Sequence, residues 1–206
     1  FRKSNMRGTG IEPAEGMLEI AIEKYQNEEM FLFDTGSFEK IPLDDRSQDK
    51  IISTLALHWV KSLEVAAAEM RRVLRDTGSL DILMIAKDDG ANFKKAIVNA
   101  LRNHLTFAQI MKTATLVQRA TEKDIHAAFA VFTDRFEIDV RKFNDVVYGT
   151  FDEHMKWWRA RSSPVIAEVV DKDQFIEDLR VELEKFGTDK GIPFDAGYFW
   201  IALKGK

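Results

Sequence analysis

Three short stretches of this chain place reactive side chains at the ends of apolar segments. In Gly10-Ile11-Glu12-Pro13, an extended segment ends in a carboxylate and a proline opens a helix. A carboxylate at the carboxyl edge of a sheet is where open α/β folds bind nucleotides. Its two oxygens can accept two hydroxyl protons at once. In Phe33-Asp34-Thr35-Gly36, a second acid ends a second apolar run. In Leu55-Ala56-Leu57-His58-Trp59, a histidine and a tryptophan follow a third. Histidine titrates near neutrality and can take a proton from an acceptor oxygen or nitrogen. Each has a plainer reading. Glu12 favours a helix amino end by charge alone, and Asp34 is a common turn former. His58 and Trp59 can be a backbone-satisfied histidine and a packed aromatic. Trp157 and Trp158, adjacent on a predicted helix, point to different faces. One is expected to pack inward and the other to cover the domain edge or an apolar substrate. His104, His126 and His154 lie far apart, so no metal pair is expected.

The elements that carry these residues alternate. Gly8 to Glu12 reads as a short strand, and Pro13 to Tyr25 as a helix with Met17, Leu18, Ala21 and Ile22 on one face. Met30 to Phe33 is a strand, and Thr35 to Ser47 is turn-rich. Lys50 to Leu57 is a strand apolar enough for burial on both faces. Leu63 to Leu74 is an amphipathic helix stopped by Asp76-Thr77-Gly78, and Leu80 to Ile85 is a buried strand. Residues 91–131 are mainly helical. Phe136 to Phe143 alternates as a strand, Thr150 to Ala160 and Lys172 to Phe186 read as helices, and Ile192 to Leu203 is a terminal strand. This order predicts an α/β protein: a mostly parallel, Rossmann-like sheet with helices on both faces, a helical cap, and C-terminal strands partly antiparallel. Residues 1–90 would form the nucleotide-binding part, 91–131 the cap, and 132–206 the elements completing the sheet.

Composition narrows the function. The chain has 206 residues, 45% hydrophobic and 31% charged, as in a globular protein. A net charge of -4 disfavours bulk capture of nucleic acid. With no cysteine, thiol catalysis and thiolate metal sites are excluded. No apolar run has the length of a membrane span, and the first residues lack the apolar core of a secretion signal. A cytoplasmic location is the expectation.

Four stretches occur in order: Gly10 to Leu18, Phe33 to Leu43, Ser53 to Trp59, and Glu69 to Leu80. Together they resemble the successive motifs of small-molecule S-adenosylmethionine-dependent methyltransferases of the Rossmann-like type. The kind they resemble is that of the trans-aconitate and malonyl-carrier-protein methyltransferases. The resemblance spans residues 8–85. It implies methyl transfer from S-adenosylmethionine to a small molecule. It implies that Glu12, followed by Pro13, holds the ribose hydroxyls, and that Asp34, Thr35 and Gly36 line the adenine slot. Leu55, Leu57, His58 and Trp59 would sit by the transferring methyl group. Outside the resemblance, Trp157 and Trp158 read as packing residues first and as an acceptor lid second. His58 would be pocket lining first and a base second, because methyl transfer from a sulfonium needs mainly alignment.

One departure is large. The family's first strand and glycine-rich turn should precede Glu12, and eleven residues give them no room. In that family the strand is central to the sheet. Phe1 to Met6 would then be the tail of the following helix. The expectation is a chain that is truncated, or completed by an N-terminal segment or a second copy, or a non-catalytic scaffold keeping the fold. A nicotinamide-dependent reductase is disfavoured, because Pro13 stands where a glycine loop needs its third glycine.

Overall fold

The computed structural model describes residues 6–115, 119–162 and 165–206. The expected helical tail at Phe1–Met6 lies, except for Met6, outside the described residues. Strand β1 (Gly8–Glu12), helix α1 (Glu15–Tyr25) and strand β2 (Phe31–Thr35) come first. Strand β3 (Gln48–Thr54), a 3-10 turn (Leu57–Trp59), helix α2 (Leu63–Val73) and strand β4 (Leu74–Ile85) follow. Helices α3 (Ala91–Leu101), α4 (Phe107–Thr115) and α5 (Glu122–Phe129) precede a 3-10 turn (Ala130–Phe132). Strand β5 (Phe136–Gly149), helices α6 (Phe151–Ser162) and α7 (Lys172–Glu184), and strand β6 (Ile192–Gly205) complete the chain.

The strands form two sheets. β1 and β2 pair in parallel, with Gly8 opposite Phe31 and Glu12 opposite Thr35. The second sheet has the order β3-β4-β6-β5, and β3 runs parallel to β4 with Ile51 opposite Leu80. The α/β class and parallel character expected from the alternation hold. Two local expectations do not. Asp76-Thr77-Gly78 does not lie between helix and strand: Leu74 is already extended at φ -78°, ψ 132°, so β4 starts directly after α2. The turn residues become an irregularity inside β4, because Gln48 faces Leu74 while Lys50 faces Ser79. Gly78 is needed there, since a Cβ would stand 2.7 Å from Leu74 Cδ1. The expected strand through Leu57 ends at Thr54, because Leu55 takes a left-handed backbone with φ 54°.

The chain divides into two compact units. The first comprises residues 1–83, 123–140 and 201–206, and the second 84–122 and 141–200. This division is discontinuous in sequence. In the first unit, Leu57, Ala66, Met70, Leu80 and Ile82 are fully buried. Phe129, Phe132 and Phe136 add a ring cluster, with successive centroids 5.6 Å and 6.3 Å apart. In the second unit, α3, α6 and α7 bury Phe93, Ala100, Met155, Trp158, Phe175 and Leu179 together. Among the described residues no helix is long and apolar enough to cross a membrane. No group of three or more histidine or acidic side chains converges there in a way that could hold a metal ion.

Candidate functional site

A cavity of about 600 Å³ opens in the first unit. One wall is β1 and its exit, Thr9 to Pro13. The opposite wall is β3, Lys50 to Thr54, with Met70 and Val73 of α2. The loop after β2 contributes Ser37, Phe38, Glu39, Ile41 and Leu43, and Trp59 and Val60 stand at the exit of β3.

The loop wall is clamped to α2. Glu69 Oε2 accepts from Ile41 N at 2.9 Å, and Arg72 donates to the carbonyls of Ile41 and Leu43 at 2.8 Å each. The same guanidinium donates to both Glu69 oxygens, at 2.8 and 2.9 Å. The planar fork of arginine suits this work, which a lysine's point charge would not do. The Arg72 hydrogen bonds hold the Glu69 carboxyl below its ordinary value, and Glu69 in turn raises Arg72. A second carboxylate ties the loop to the start of α2: Glu39 Oε1 accepts from Lys61 N at 2.6 Å and Ser62 N at 3.1 Å. Ser62 then caps α2 by accepting from Val65 N at 3.2 Å.

Glu12 is half-buried and lines the cavity, with Oε1 accepting from Ala14 N at 2.9 Å. It therefore also does what the plainer reading foresaw, satisfying an amide at the entrance of α1. Pro13 lines the cavity beside it. Asp34 and Thr35 are exposed and are not part of the lining; Asp34 Oδ1 accepts from Thr35 N at 2.7 Å. The parallel register nevertheless sets them next to Ile11 and Glu12. Gly36 is packed tightly: a Cβ there would stand 2.6 Å from Pro42 and 2.9 Å from Ile11.

At the exit of β3, the left-handed turn at Leu55 redirects the chain. A left-handed non-glycine residue costs about 1–3 kcal/mol, and such strain persists where surroundings fix it. Leu57 and His58 become buried, and Trp59 stays 58% exposed. Of these residues only Trp59 lines the cavity, with its ring 5.0 Å from that of His58. Trp157 and Trp158 lie in the second unit. Trp158 is buried and tilted on Phe175, while half-buried Trp157 meets Phe194 edge-on at 4.8 Å.

Two features of the site escaped the sequence reading. The Glu69–Arg72 clamp had a local signal, an acid and a base three apart on a helix, but nothing in sequence names the loop carbonyls. Ser53 is buried in the cavity wall, and its Oγ has no hydrogen-bond partner among the described residues. A buried hydroxyl without a partner is costly, and Ser53 Oγ is a polar atom in the cavity wall that a bound ligand could satisfy. With the Glu12 carboxylate and the aliphatic lining, the residues present fit a ligand having a diol and an apolar body.

This fold is that of the S-adenosylmethionine-dependent methyltransferases, a Rossmann-like α/β class. Within it, residues 1–82 match the family described as "Methyltransferase domain". Over 93 residues the chain is 32% identical to the ubiquinone/menaquinone biosynthesis C-methyltransferase of Campylobacter jejuni, covering 45% of this chain and 38% of that protein. The chain thus spans about two fifths of the length of the curated relatives it matches. Among solved structures, YcgJ of Bacillus subtilis superposes with a TM-score of 0.61 at 19% identity, covering 97% of this chain and 82% of that one. A phosphoethanolamine N-methyltransferase of Haemonchus contortus, solved with phosphomonomethylethanolamine and S-adenosylhomocysteine, superposes with a TM-score of 0.57 at 13% identity. That match covers all of this chain and 45% of the other. At these identities the structural matches establish the fold.

Proposed function

We propose that this chain takes part in methyl transfer from S-adenosylmethionine to a small-molecule acceptor. The observation that carries the reading is the half-buried Glu12 carboxylate at the end of β1, on the wall of a cavity that continues to Trp59. S-adenosylmethionine would supply an electrophilic methyl group on a sulfonium. Glu12 would accept the ribose hydroxyls, an arrangement that disfavours ligands lacking them because the carboxylate is then left unpaired. Asp34, Thr35 and Gly36, set beside β1 by the register, would receive the adenine end. Trp59, at the cavity exit, would cover the reacting end and keep water out. His58, buried against Trp59 below the strained Leu55 turn, acts in this reading as a positioning residue. The match of residues 1–82 to a methyltransferase domain and the relatives' activities support the reading. The acceptor is taken as a small molecule, as for those relatives.

Calorimetric titration with S-adenosylhomocysteine tests the proposal. Binding that weakens at least tenfold in Glu12→Ala supports it, the loss expected from about 1.4 kcal/mol of charge-assisted hydrogen bonding. Binding indifferent to Glu12→Ala removes the assigned site. A second reading, a scaffold that keeps the fold without turnover, is favoured by one observation: among the described residues β1 and β2 form a sheet separate from β3-β4-β6-β5. Absence of any binding with the fold intact would select it.

A further inference from the structure

Strand β5 ends the four-stranded sheet, so one of its edges has no neighbouring strand among the described residues. It is 14 residues long and contains no proline. Every residue from Arg141 to Tyr148 is exposed, and Phe143, Val146, Val147 and Tyr148 give that stretch an apolar surface. A long, flat, apolar edge is a template for another strand. Which backbone groups lie on it follows from the pairing with β6. Lys206 N donates to Arg135 O at 3.2 Å, the Phe143 ring stacks on Tyr198 at 5.4 Å, and Arg141 lies over the Trp200 ring at 5.1 Å. All three contacts fit one antiparallel register. In such a pair the hydrogen-bonded positions recur every second residue. The odd-numbered residues of 135–149 therefore face β6, and the even-numbered ones, Ile138 to Tyr148, turn amide and carbonyl outward. Val146 agrees with this, its N donating to Asp145 Oδ1 of its own strand at 2.8 Å.

We propose that the outer edge of β5 pairs antiparallel with the same edge of a second copy of this chain, across a two-fold axis at Phe143. The sequence of the strand decides both the occupant and the axis. With the axis at Phe143, Arg141 stands opposite the partner's Asp145, and Asp145 opposite the partner's Arg141. Val140 meets the partner's Val146, Ile138 the partner's Tyr148, and Lys142 the partner's Asn144. These even positions are the ones that face outward, so each pair exchanges two hydrogen bonds. Val146 N passes from Asp145 to the partner's Val140 carbonyl, and Asp145 gains a guanidinium in exchange. Phe143 meets its own copy at a non-hydrogen-bonded position, where Cα atoms come to about 4.5 Å. Opposite charges and paired aromatics are favourable cross-strand neighbours. Other axes fail. An axis at Lys142 sets that lysine against itself and Asp139 against Asp145. An axis at Asn144 sets Phe143 against Asp145 and Arg141 against Val147. An axis at Asp145 sets that carboxylate against itself. Complementarity of a surface to itself is what a two-fold interface requires. β5 lies at the opposite end of its sheet from β3. The interface uses neither Glu12 nor the cavity, so it stands apart from the methyl-donor reading.

Sedimentation of the full chain over a concentration series tests it. The parent should be a dimer. Arg141→Asp sets carboxylate against carboxylate at both symmetry-related places, and Asp145→Arg sets guanidinium against guanidinium. Like charges directly opposite are destabilising, so each variant should dimerise at least tenfold more weakly with its helical signal intact. An equal mixture of the two variants should regain the dimer, because each copy offers the charge the other lacks. A role for either residue within its own fold would not produce that recovery. The chain has no cysteine, so Phe143→Cys puts one thiol per copy at the axis, within disulfide reach. It should cross-link under mild oxidation, and Val147→Cys, which faces Asp139, should not. Glu12→Ala should remain dimeric while its homocysteine titration changes, which separates failure of one reading from failure of the other. A parent that is monomeric throughout the series, a mixture that stays monomeric, a dimer indifferent to both charge reversals, or cross-linking at Val147 in place of Phe143 overturns the proposal.

Discussion

Glu69→Gln asks whether the loop wall of the cavity is held by a charge-assisted clamp. Glu69 accepts from Ile41 N at 2.9 Å, from Arg72 Nε at 2.8 Å and from Arg72 Nη2 at 2.9 Å. Glutamine keeps one acceptor oxygen and replaces the other by a donor. One contact then sets donor against donor. Hydrogen bonds to charged groups contribute about 1.5–3 kcal/mol each. The Glu69 side chain is 22% exposed, so water screens part of that. The expected loss is about 1–2 kcal/mol. It should appear locally, as a rise of about 5–30-fold in the opening equilibrium of the loop. The assay is exchange of the Ile41 amide, with global stability followed by denaturant. The pH dependence has a definite sign. Glu69 titrates below its ordinary 4.5 in the folded chain, so its contribution is full above that value and is lost as pH falls through the lowered one. Loop opening should therefore accelerate on acidification in the parent and not through this group in Glu69→Gln. An Ile41 amide whose exchange does not change, in a variant with α2 intact, would refute the clamp.

Four further outcomes follow from the structure. Met70→Ala removes a fully buried side chain from the cavity wall and should cost about 2–5 kcal/mol in denaturant unfolding. Ser62→Ala, which deletes the cap accepting from Val65 N, should cost about 1 kcal/mol, and Ser62→Asp should restore it. His154 is 2% exposed and bonds the Ile192 carbonyl through Nε2 at 2.8 Å, so His154→Leu strands that carbonyl and should cost about 1–3 kcal/mol in thermal unfolding. Leu55→Gly relieves a left-handed backbone at φ 54° and should leave stability within about 1 kcal/mol of the parent, whereas Leu55→Val should lose more, since β-branched residues tolerate that region least.

How much was legible in the sequence depends on how local each cause is. The strand–helix order was legible because residues 50–57 and 80–85 are apolar-rich runs, and because the apolar stripe between them marks α2 as a helix. The place of Glu12 on the cavity wall followed from the acid-proline pair after a short strand. Asp76-Thr77-Gly78 was legible as a turn, but its position inside β4 depends on Gln48, which pairs with Leu74 from 26 residues upstream. The clamp was illegible for the same reason: Glu69 and Arg72 reach partners 28 and 31 residues away.

Leu55 shows the limit most sharply. Leucine in a left-handed conformation has no sequence signature, since the usual marker of that region is glycine or asparagine. An apolar run through Leu57 therefore reads as one strand. Had the strand continued, alternation would have put Leu57 on the Leu55 side of the sheet and His58 on the other. The turn instead buries Leu57 and His58 together and delivers Trp59 to the cavity. The strain is local, and what it produces is an aromatic side chain on the cavity wall. A backbone outlier at the carboxyl end of β3, beside a cavity whose other wall carries Glu12, is thus better explained by what it positions than by packing alone.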